Sequence, residues 1–161
     1  MLVGRHIGEK IKELDEQGLY DFYIPLDCDE FVAVINNSGD MSCCAEDIFD
    51  ELKRHSKTQD VLTFKTQLYN SPLSKDWFVE MYWPKTFFRS GTYLSLDEGY
   101  HWGKTKNGGE HVTSLFQFHL HNKPYNLLRE HAARKLALYL ETESEEVYAQ
   151  HTGRGGHLSK Y

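Results

Sequence analysis

One alternating stretch carries the clearest strand pattern and most of the candidate chemistry of this chain: Glu110-His-Val-Thr-Ser-Leu-Phe-Gln-Phe-His-Leu-His121. Successive side chains of a β-strand point to opposite faces of the sheet. The alternation therefore predicts a core-facing apolar side made of Val112, Phe116, Phe118 and Leu120. It also predicts an opposite polar side made of His111, Thr113, Gln117, His119 and His121. We expect this polar face to be open to solvent, and it is the first place to look for a functional site.

A period of two also marks the residues that precede this stretch, from residue 61 onward. Five strands are predicted, at Val61–Leu68, Trp77–Trp83, Phe87–Leu96, Tyr100–Lys104 and Glu110–His121. Short turns rich in Gly, Pro and Asn separate them. Since a parallel pair needs a crossover of about a dozen residues or more, these short connections favour an antiparallel meander.

Helical periodicity occurs before and after the five strands. Helices are predicted over about residues 5–17, 43–57 and 124–140. The first has Ile7, Ile11 and Leu14 on one stripe and Gly18 in the position of a C-terminal cap. Between the first two helices, residues 20–26 and 31–35 are expected to pair as a hairpin across the acidic link Asp27–Glu30. The predicted fold class is therefore α+β. It consists of a helix–hairpin–helix segment, an antiparallel meander of about five strands, and a C-terminal helix packed on one face of the sheet.

Neither internal repeats nor a Pro- or Ser-rich linker divides the 161 residues. We expect a single α+β domain over residues 1–150 and a mobile tail over 151–161. The N-terminus lacks the basic-then-apolar pattern of a signal peptide, and no apolar run reaches the ~18 residues of a membrane span. Three cysteines, two of them adjacent, form a poor disulfide framework and fit a reducing compartment. A soluble cytoplasmic protein with free thiols is predicted.

The net charge of -6 is concentrated in the first third of the chain. Residues 1–60 contain 6 Lys and Arg against 14 Asp and Glu, while residues 61–109 contain 6 against 4 and residues 110–161 contain 6 against 6. An acidic region of this kind suits a basic protein partner. The leading hypothesis is a small inhibitor- or adaptor-like regulatory protein that binds through this acidic third and an aromatic loop. The residues expected at that surface are Asp27, Asp29, Glu30, Glu46, Asp47, Asp50, Glu51, Tyr100 and Trp102.

A hydrolase or phosphoesterase is the first alternative, because imidazole changes its charge near neutral pH and serves as a general acid or base. Its candidate catalytic residues are His111, Thr113, His119 and His121. His111-x-Thr113 is half of the paired arrangement in two-histidine phosphoesterases, but the second half is missing, so that family is not assigned. Moreover, His111 and His119 lie about 26 Å apart along an ideal strand, and one centre uses both only if the strand bends.

Metal binding and nucleic-acid binding are the remaining possibilities. His119 and His121 would be the ligands of a metal, but no third ligand follows from the spacing, and no metal or cofactor is predicted. Aromatic residues and cations interleave over residues 82–106, which include Trp83 and Lys85. Of these, the hairpin of residues 100–106 is expected to expose its rings, and binding of single-stranded nucleic acid there is the second alternative.

Overall fold

A computed structural model describes residues 3–71, 76–142 and 144–152. The chain forms two compact units, residues 1–121 and residues 122–161. The predicted α+β class is confirmed, since helices and mostly antiparallel strands make up the fold. The single domain over residues 1–150 stays a prediction. Of the predicted mobile tail, residues 153–161 lie outside the described residues.

Two amphipathic helices belong to the first unit, α1 (Val3–Gln17) and α2 (Ala45–Arg54). α1 ends at Gly18, which has a positive φ of 63° and donates its N–H to the carbonyl oxygen of Asp15. α2 is shorter than predicted, and Cys44 occupies its N-cap. Its first turn carries Glu46 and Asp47 and its last turn carries Lys53 and Arg54, in accord with the helix dipole.

Eleven short strands occur in the described residues. In chain order they are β1 (Phe22–Tyr23), β2 (Glu30–Ile35), β3 (Met41–Ser42), β4 (Val61–Thr63), β5 (Thr66–Asn70), β6 (Phe78–Met81), β7 (Thr86–Arg89), β8 (Tyr93–Leu96), β9 (Gly103–Thr105), β10 (Glu110–Val112) and β11 (Phe116–His119). One sheet has the order β1-β7-β4-β10, a second has the order β3-β2-β11-β5-β6, and β8 pairs with β9. The strand order is not that of the predicted meander, and both larger sheets are mixed.

A parallel pairing of two distant segments accounts for this difference. Residues 61–70 and 110–119 run side by side in the same direction, first as β4 with β10 and then as β5 with β11. The contact continues between the two strand pairs, because the Lys65 N–H donates to the carbonyl oxygen of Leu115 at 2.7 Å. The crossover that a parallel pair requires is the segment 71–109, which itself contributes β6 to β9. Short turns between sequence neighbours do not reveal this pairing.

The predicted N-terminal hairpin has different partners in the structure. β1 pairs with β7, whereas β2 pairs with β3 and β11. Asn36 closes the turn from β2 to β3, because its side-chain oxygen accepts the N–H groups of Ser38 and Asp40 at 3.0 Å each. The acidic link, expected at a hairpin tip, instead directs the side chain of Glu30 into the interior.

The two faces of β11 are the reverse of those predicted. Gln117 and His119 are buried, whereas Leu120, just beyond the strand, is 41% exposed. β11 is the central strand of its sheet, and Gln117 lies opposite Val32, which packs against the core. The alternation holds, but its polar side faces inward. A buried polar group is tolerated where a hydrogen bond or an opposite charge offsets its lost hydration. Here the opposite charge is that of Lys85, which lies far from β11 in the sequence and therefore does not appear in the strand pattern.

Two hydrophobic clusters support the sheets of the first unit. The first contains Val34, Leu52, Leu62, Phe64, Phe87 and Leu115. The second contains Ile11, Tyr23, Val61, Phe88 and Tyr93, with Ile7, Leu14 and Leu96 packed against it. The predicted stripe of Ile7, Ile11 and Leu14 on α1 is therefore confirmed.

The second unit consists of α3 (Tyr125–Leu140) and α4 (Glu145–Gln150). Arg129 forms a 2.8 Å ion pair with Glu145, and the Tyr148 hydroxyl donates to the carbonyl oxygen of Thr142 at 2.6 Å. Packing of the C-terminal helix on a face of the sheet stays a prediction. None of the helices in the described segments is long and apolar enough to cross a bilayer.

Two leucines that flank β11 test the observed register. Leu115 is 0% exposed in the first hydrophobic cluster, whereas Leu120 is 41% exposed. Leu115→Ala should lower the free energy of unfolding by about 2–5 kcal/mol, through lost burial and a residual cavity. Leu120→Ala should lower it by less than about 1 kcal/mol. Urea denaturation measures both changes, and a larger loss for Leu120→Ala would restore the register predicted from the sequence.

Candidate functional site

A buried lysine lies at the centre of an unusual group of side chains in the first unit. Lys85 directly precedes β7, and its side chain is 3% exposed. Its Nζ lies 2.7 Å from Glu30 Oε2 and 2.7 Å from Asp27 Oδ2. The side chain of Glu30 is 0% exposed, whereas Asp27 reaches solvent. Because an unpaired buried charge is strongly destabilising, Lys85 and Glu30 depend on one another.

The segment from Asp27 to Glu30 is folded around this ion pair. Glu30 Oε2 accepts the backbone N–H of Asp27 at 2.8 Å, and the Glu30 N–H donates to the carbonyl oxygen of Asp27 at 3.0 Å. The same carboxylate oxygen therefore closes the turn and binds Lys85.

Tyr100 covers the lysine from the loop between β8 and β9. Lys85 Nζ lies 4.6 Å from the centroid of its ring, which is within the range of a cation–π interaction. Tyr100 has a positive φ of 63°, which is uncommon for a bulky residue, and its carbonyl oxygen accepts the Thr86 N–H at 2.7 Å. Burial, reinforced by the charges of Asp27 and Glu30, raises the pKa of Tyr100. Its hydroxyl therefore stays protonated at neutral pH.

His119 lies beside the same carboxylates. On β11 it is opposite Glu30 of β2 and Tyr69 of β5. Its Nδ1 is 3.5 Å from Glu30 Oε1, and its Nε2 is 3.5 Å from Asp29 Oδ1, which are long distances for hydrogen bonds. Burial lowers the pKa of His119, and the charges of Glu30 and Asp29 oppose this effect without reversing it. The imidazole is therefore mainly neutral at pH 7.

Tyr69 and His121 complete this group of rings. The ring centroid of Tyr69 is 4.6 Å from that of His119 and 5.1 Å from that of His121, and the two histidine centroids are 5.1 Å apart. Burial, with the nearby carboxylates of Glu30, Asp27 and Asp29, raises the pKa of Tyr69. His121 is exposed, so the group extends from the interior to the surface.

A second polar row lies next to His119 on the same face of the sheet. Gln117 is paired in register with Gln67, and both side chains are almost fully buried. Five buried atoms of this face have no hydrogen-bond partner among the described protein atoms: Gln117 Nε2 and Oε1, Gln67 Nε2, Glu30 Oε1 and His119 Nδ1. A buried group that finds no partner at all, water included, costs about 1–3 kcal/mol of stability. Lys85 compensates the charge of one member of this face, Glu30.

Two exposed tryptophans lie on the loops that enclose Lys85. Trp83 precedes Lys85 by two residues and is 55% exposed, while Trp102 follows Tyr100 by two residues and is 63% exposed. Their rings meet edge to face, with centroids 5.6 Å apart and planes at 76°. Trp83 and Trp102 are called the tryptophan pair below.

Hydrogen bonds fix the loops that carry the tryptophan pair. The Asp97 carboxylate accepts the backbone N–H of Trp102 at 2.8 Å and that of Gly99 at 3.1 Å. His101 Nδ1 lies 3.4 Å from the carbonyl oxygen of Pro84, which joins the two loops. Beneath them, Lys85 contacts Tyr100. Because the rings are held before any partner arrives, binding would require little further ordering.

The acidic residues predicted to form a partner surface divide between the surface and the interior. Glu30 is buried against Lys85. Glu51 is also buried, where its Oε1 accepts the Ser114 N–H at 3.0 Å and lies 3.0 Å from His55 Nε2. Both positions correct the expectation of surface charge, and Tyr100 is likewise buried. The exposed or half-buried acids are Asp27, Asp29, Glu46, Asp47 and Asp50, and Trp102 is exposed as expected.

The residues predicted to be catalytic lie in two separate places. His119 and His121 contact each other, whereas His111 contacts His55, with ring centroids 4.9 Å apart. Thr113 is buried, and its hydroxyl donates to the carbonyl oxygen of Thr63 at 3.0 Å. No group of three or more His, Cys, Asp or Glu side chains that could hold a metal occurs in the described parts of the chain. All three cysteines are free and exposed, as predicted.

Sequence reasoning missed the central role of Lys85. Its partners Asp27 and Glu30 lie 58 and 55 residues away in the chain, so no local spacing connects them. One signal was present: Lys85 stands directly before Thr86 and Phe87, at the start of an apolar strand. A cation in that position can be buried only if a carboxylate meets it.

Removal of the lysine tests the ion-pair network. Lys85→Met should lower the free energy of unfolding by about 3–5 kcal/mol, because the Glu30 carboxylate would remain buried without its partner. The double variant Lys85→Met with Glu30→Gln should recover part of that loss. The exposed Lys106, replaced by Met, is the matched control and should change stability by less than about 0.5 kcal/mol. Denaturant titration measures the free energy of unfolding of each variant. Equal values for Lys85→Met and Lys106→Met would contradict the network.

Burial of His119 predicts that acid destabilises the first unit. Since its pKa is lowered from the ordinary value of 6.5, the unfolded chain takes up a proton before the folded chain does. Stability should therefore be retained above pH 6.5 and fall as the pH is lowered below it. Glu51, whose pKa is also lowered, contributes only below its ordinary value of 4.5.

Denaturant titrations between about pH 5 and pH 7.5 measure this dependence. His119→Gln should flatten it, while His111→Gln, a change at an exposed histidine, should leave it unaltered. An unchanged slope in His119→Gln would show that another group causes the acid sensitivity.

Comparison with known proteins gives no match. No family model, no curated protein and no solved structure matches this chain.

Proposed function

We propose that this chain is a protein-binding module that recognises a basic segment of another protein through the tryptophan pair. The observation that carries the proposal is the exposure of Trp83 and Trp102 on two loops fixed from beneath by Lys85 and Tyr100. Exposed aromatic side chains on a rigid support are typical of interface hot spots, in which a few Trp, Tyr and Arg side chains supply most of the binding energy.

The charges around the tryptophan pair favour a basic partner. Glu98 is exposed and Asp97 is half-buried in the same loop as Trp102, and the exposed Asp27 contacts Lys85, two residues after Trp83. The charge of Lys85 is compensated by two carboxylates, so it adds little positive potential at the surface. The net charge of -6 would speed the approach of a cation and weaken its binding at high salt.

The two alternative functions have weaker support. For nucleic acid, Lys104 and Lys106 are exposed near Trp102, but Tyr100 is buried and the adjacent acids repel phosphate. For hydrolysis, His111 and Thr113 lie apart from His119 and His121 and offer no shared position for a reacting group. Binding of a basic protein segment requires only groups that are already exposed, which are Trp83, Trp102 and Glu98.

Calorimetric titration with a heptapeptide of alternating Lys and Val tests the proposal. The peptide should bind with an affinity that falls as salt is added, whereas a Glu/Val heptapeptide and an oligothymidylate should not bind. Trp102→Ala and Trp83→Ala should each weaken binding by about tenfold or more. Tyr125→Ala, which removes an exposed ring from α3, is the matched control and should have no effect. Binding of oligothymidylate in place of the Lys/Val peptide would support the nucleic-acid alternative instead.

A further inference from the structure

One edge of the five-stranded sheet ends in a strand with exposed apolar side chains. In the part of the chain that the structure describes, β6 pairs with β5 alone and is the last strand in its sheet. Phe78 and Val79 are exposed on it, and the exposed Trp77 and Tyr82 flank it. An open edge presents backbone N–H and C=O groups that can pair with another strand.

Natural edge strands are usually protected by Lys, by Pro or by a bulge, and β6 has none of these. The only charged residue within it is Glu80, whose Oε1 accepts the Thr66 hydroxyl at 2.8 Å. Two residues beyond its end stands Trp83, a member of the tryptophan pair. The open edge and the tryptophan pair are therefore adjacent along the chain.

We propose that the basic partner segment binds as an added β-strand along the edge of β6 and continues to the tryptophan pair. This inference rests on the function proposed above and specifies the conformation of the partner. Main-chain hydrogen bonds to residues 78–81 would supply affinity, while alternate side chains would supply selectivity.

The alternation of β6 specifies the chemistry of the added strand. Phe78 and Glu80 lie on one face, and Val79 and Met81 lie on the other. Lys or Arg side chains of the added strand would lie near the Glu80 carboxylate, and apolar side chains would lie near Val79 and Met81. An extended segment that alternates cationic and apolar residues fits both faces.

A second copy of this chain fits the edge less well. Each copy has a net charge of -6, so pairing of two copies would bring like charges together. A basic segment instead reduces the net charge of the complex. Charge complementarity therefore selects the basic segment over self-association.

Hydrogen exchange of the backbone amides separates strand addition from side-chain binding. The Ser71 N–H donates to the carbonyl oxygen of Trp77, so in this register the main-chain groups of Phe78 and Glu80 face the open edge. The probes are the Lys/Val heptapeptide and the same peptide with the backbone nitrogens of its Lys residues methylated, which keeps the side-chain charges but removes the donors that would face β6. Strand addition predicts that the unmodified peptide slows exchange within residues 76–83 and that the methylated peptide binds at least about tenfold more weakly.

Equal binding of both peptides, without protection of residues 76–83, would overturn strand addition and leave the proposed function intact. Binding of neither peptide would overturn both. Protection of residues 76–83 without peptide, together with dimers in analytical ultracentrifugation, would assign the edge to a second copy and also overturn strand addition.

A charge exchange at the edge gives an independent readout. Glu80→Lys should weaken binding of the Lys/Val peptide by about two- to fivefold and make binding of the Glu/Val peptide detectable, as expected for cross-strand charge pairs. Glu46→Lys makes the same charge reversal at an exposed position on α2 and is the matched control. It should leave the preference for the Lys/Val peptide over the Glu/Val peptide unchanged. The same response from both variants would attribute the effect to net charge and contradict pairing at β6.

Discussion

The ion pair between Lys85 and Glu30 determines how the first unit is held together at one end. Glu30 begins β2, Lys85 precedes β7, and these strands belong to different sheets. Neither charge is stable in the interior without the other. The same interaction positions the turn at Asp27 and the ring of Tyr100, so a single buried contact orders two loops and the ends of two sheets.

Local patterns in the sequence predicted local structure well. α1 and its end at Gly18 follow from helical spacing and a glycine cap, and the α+β class follows from the change of period at residue 61. Sheet order could not be obtained in this way. The pairing of β11 with β2 and β5 joins residues about 50 to 90 positions apart, and no turn signal encodes such a partner.

The candidate site shows the same division between local and distant information. Trp102 was expected at the surface because it lies in the predicted hairpin of residues 100–106, and it is exposed. His119 was expected to be exposed because polar residues usually face water, but it is buried beside Glu30 and Tyr69. A hydropathy pattern assigns the more polar face of a strand to solvent and the more apolar face to the core. It cannot anticipate a buried lysine that makes a polar interior tolerable.

The parallel arrangement of residues 61–70 and 110–119 has a consequence for folding during synthesis. β11 lies between β2 and β5, so both strands lack this neighbour until residue 119 has left the ribosome. Closing a loop of roughly 50 residues is slow, because chain entropy is lost before the contacts form. In that interval the facing edges of β2 and β5 are open to other nascent chains. Insertion of β11 is therefore the step that closes these two edges.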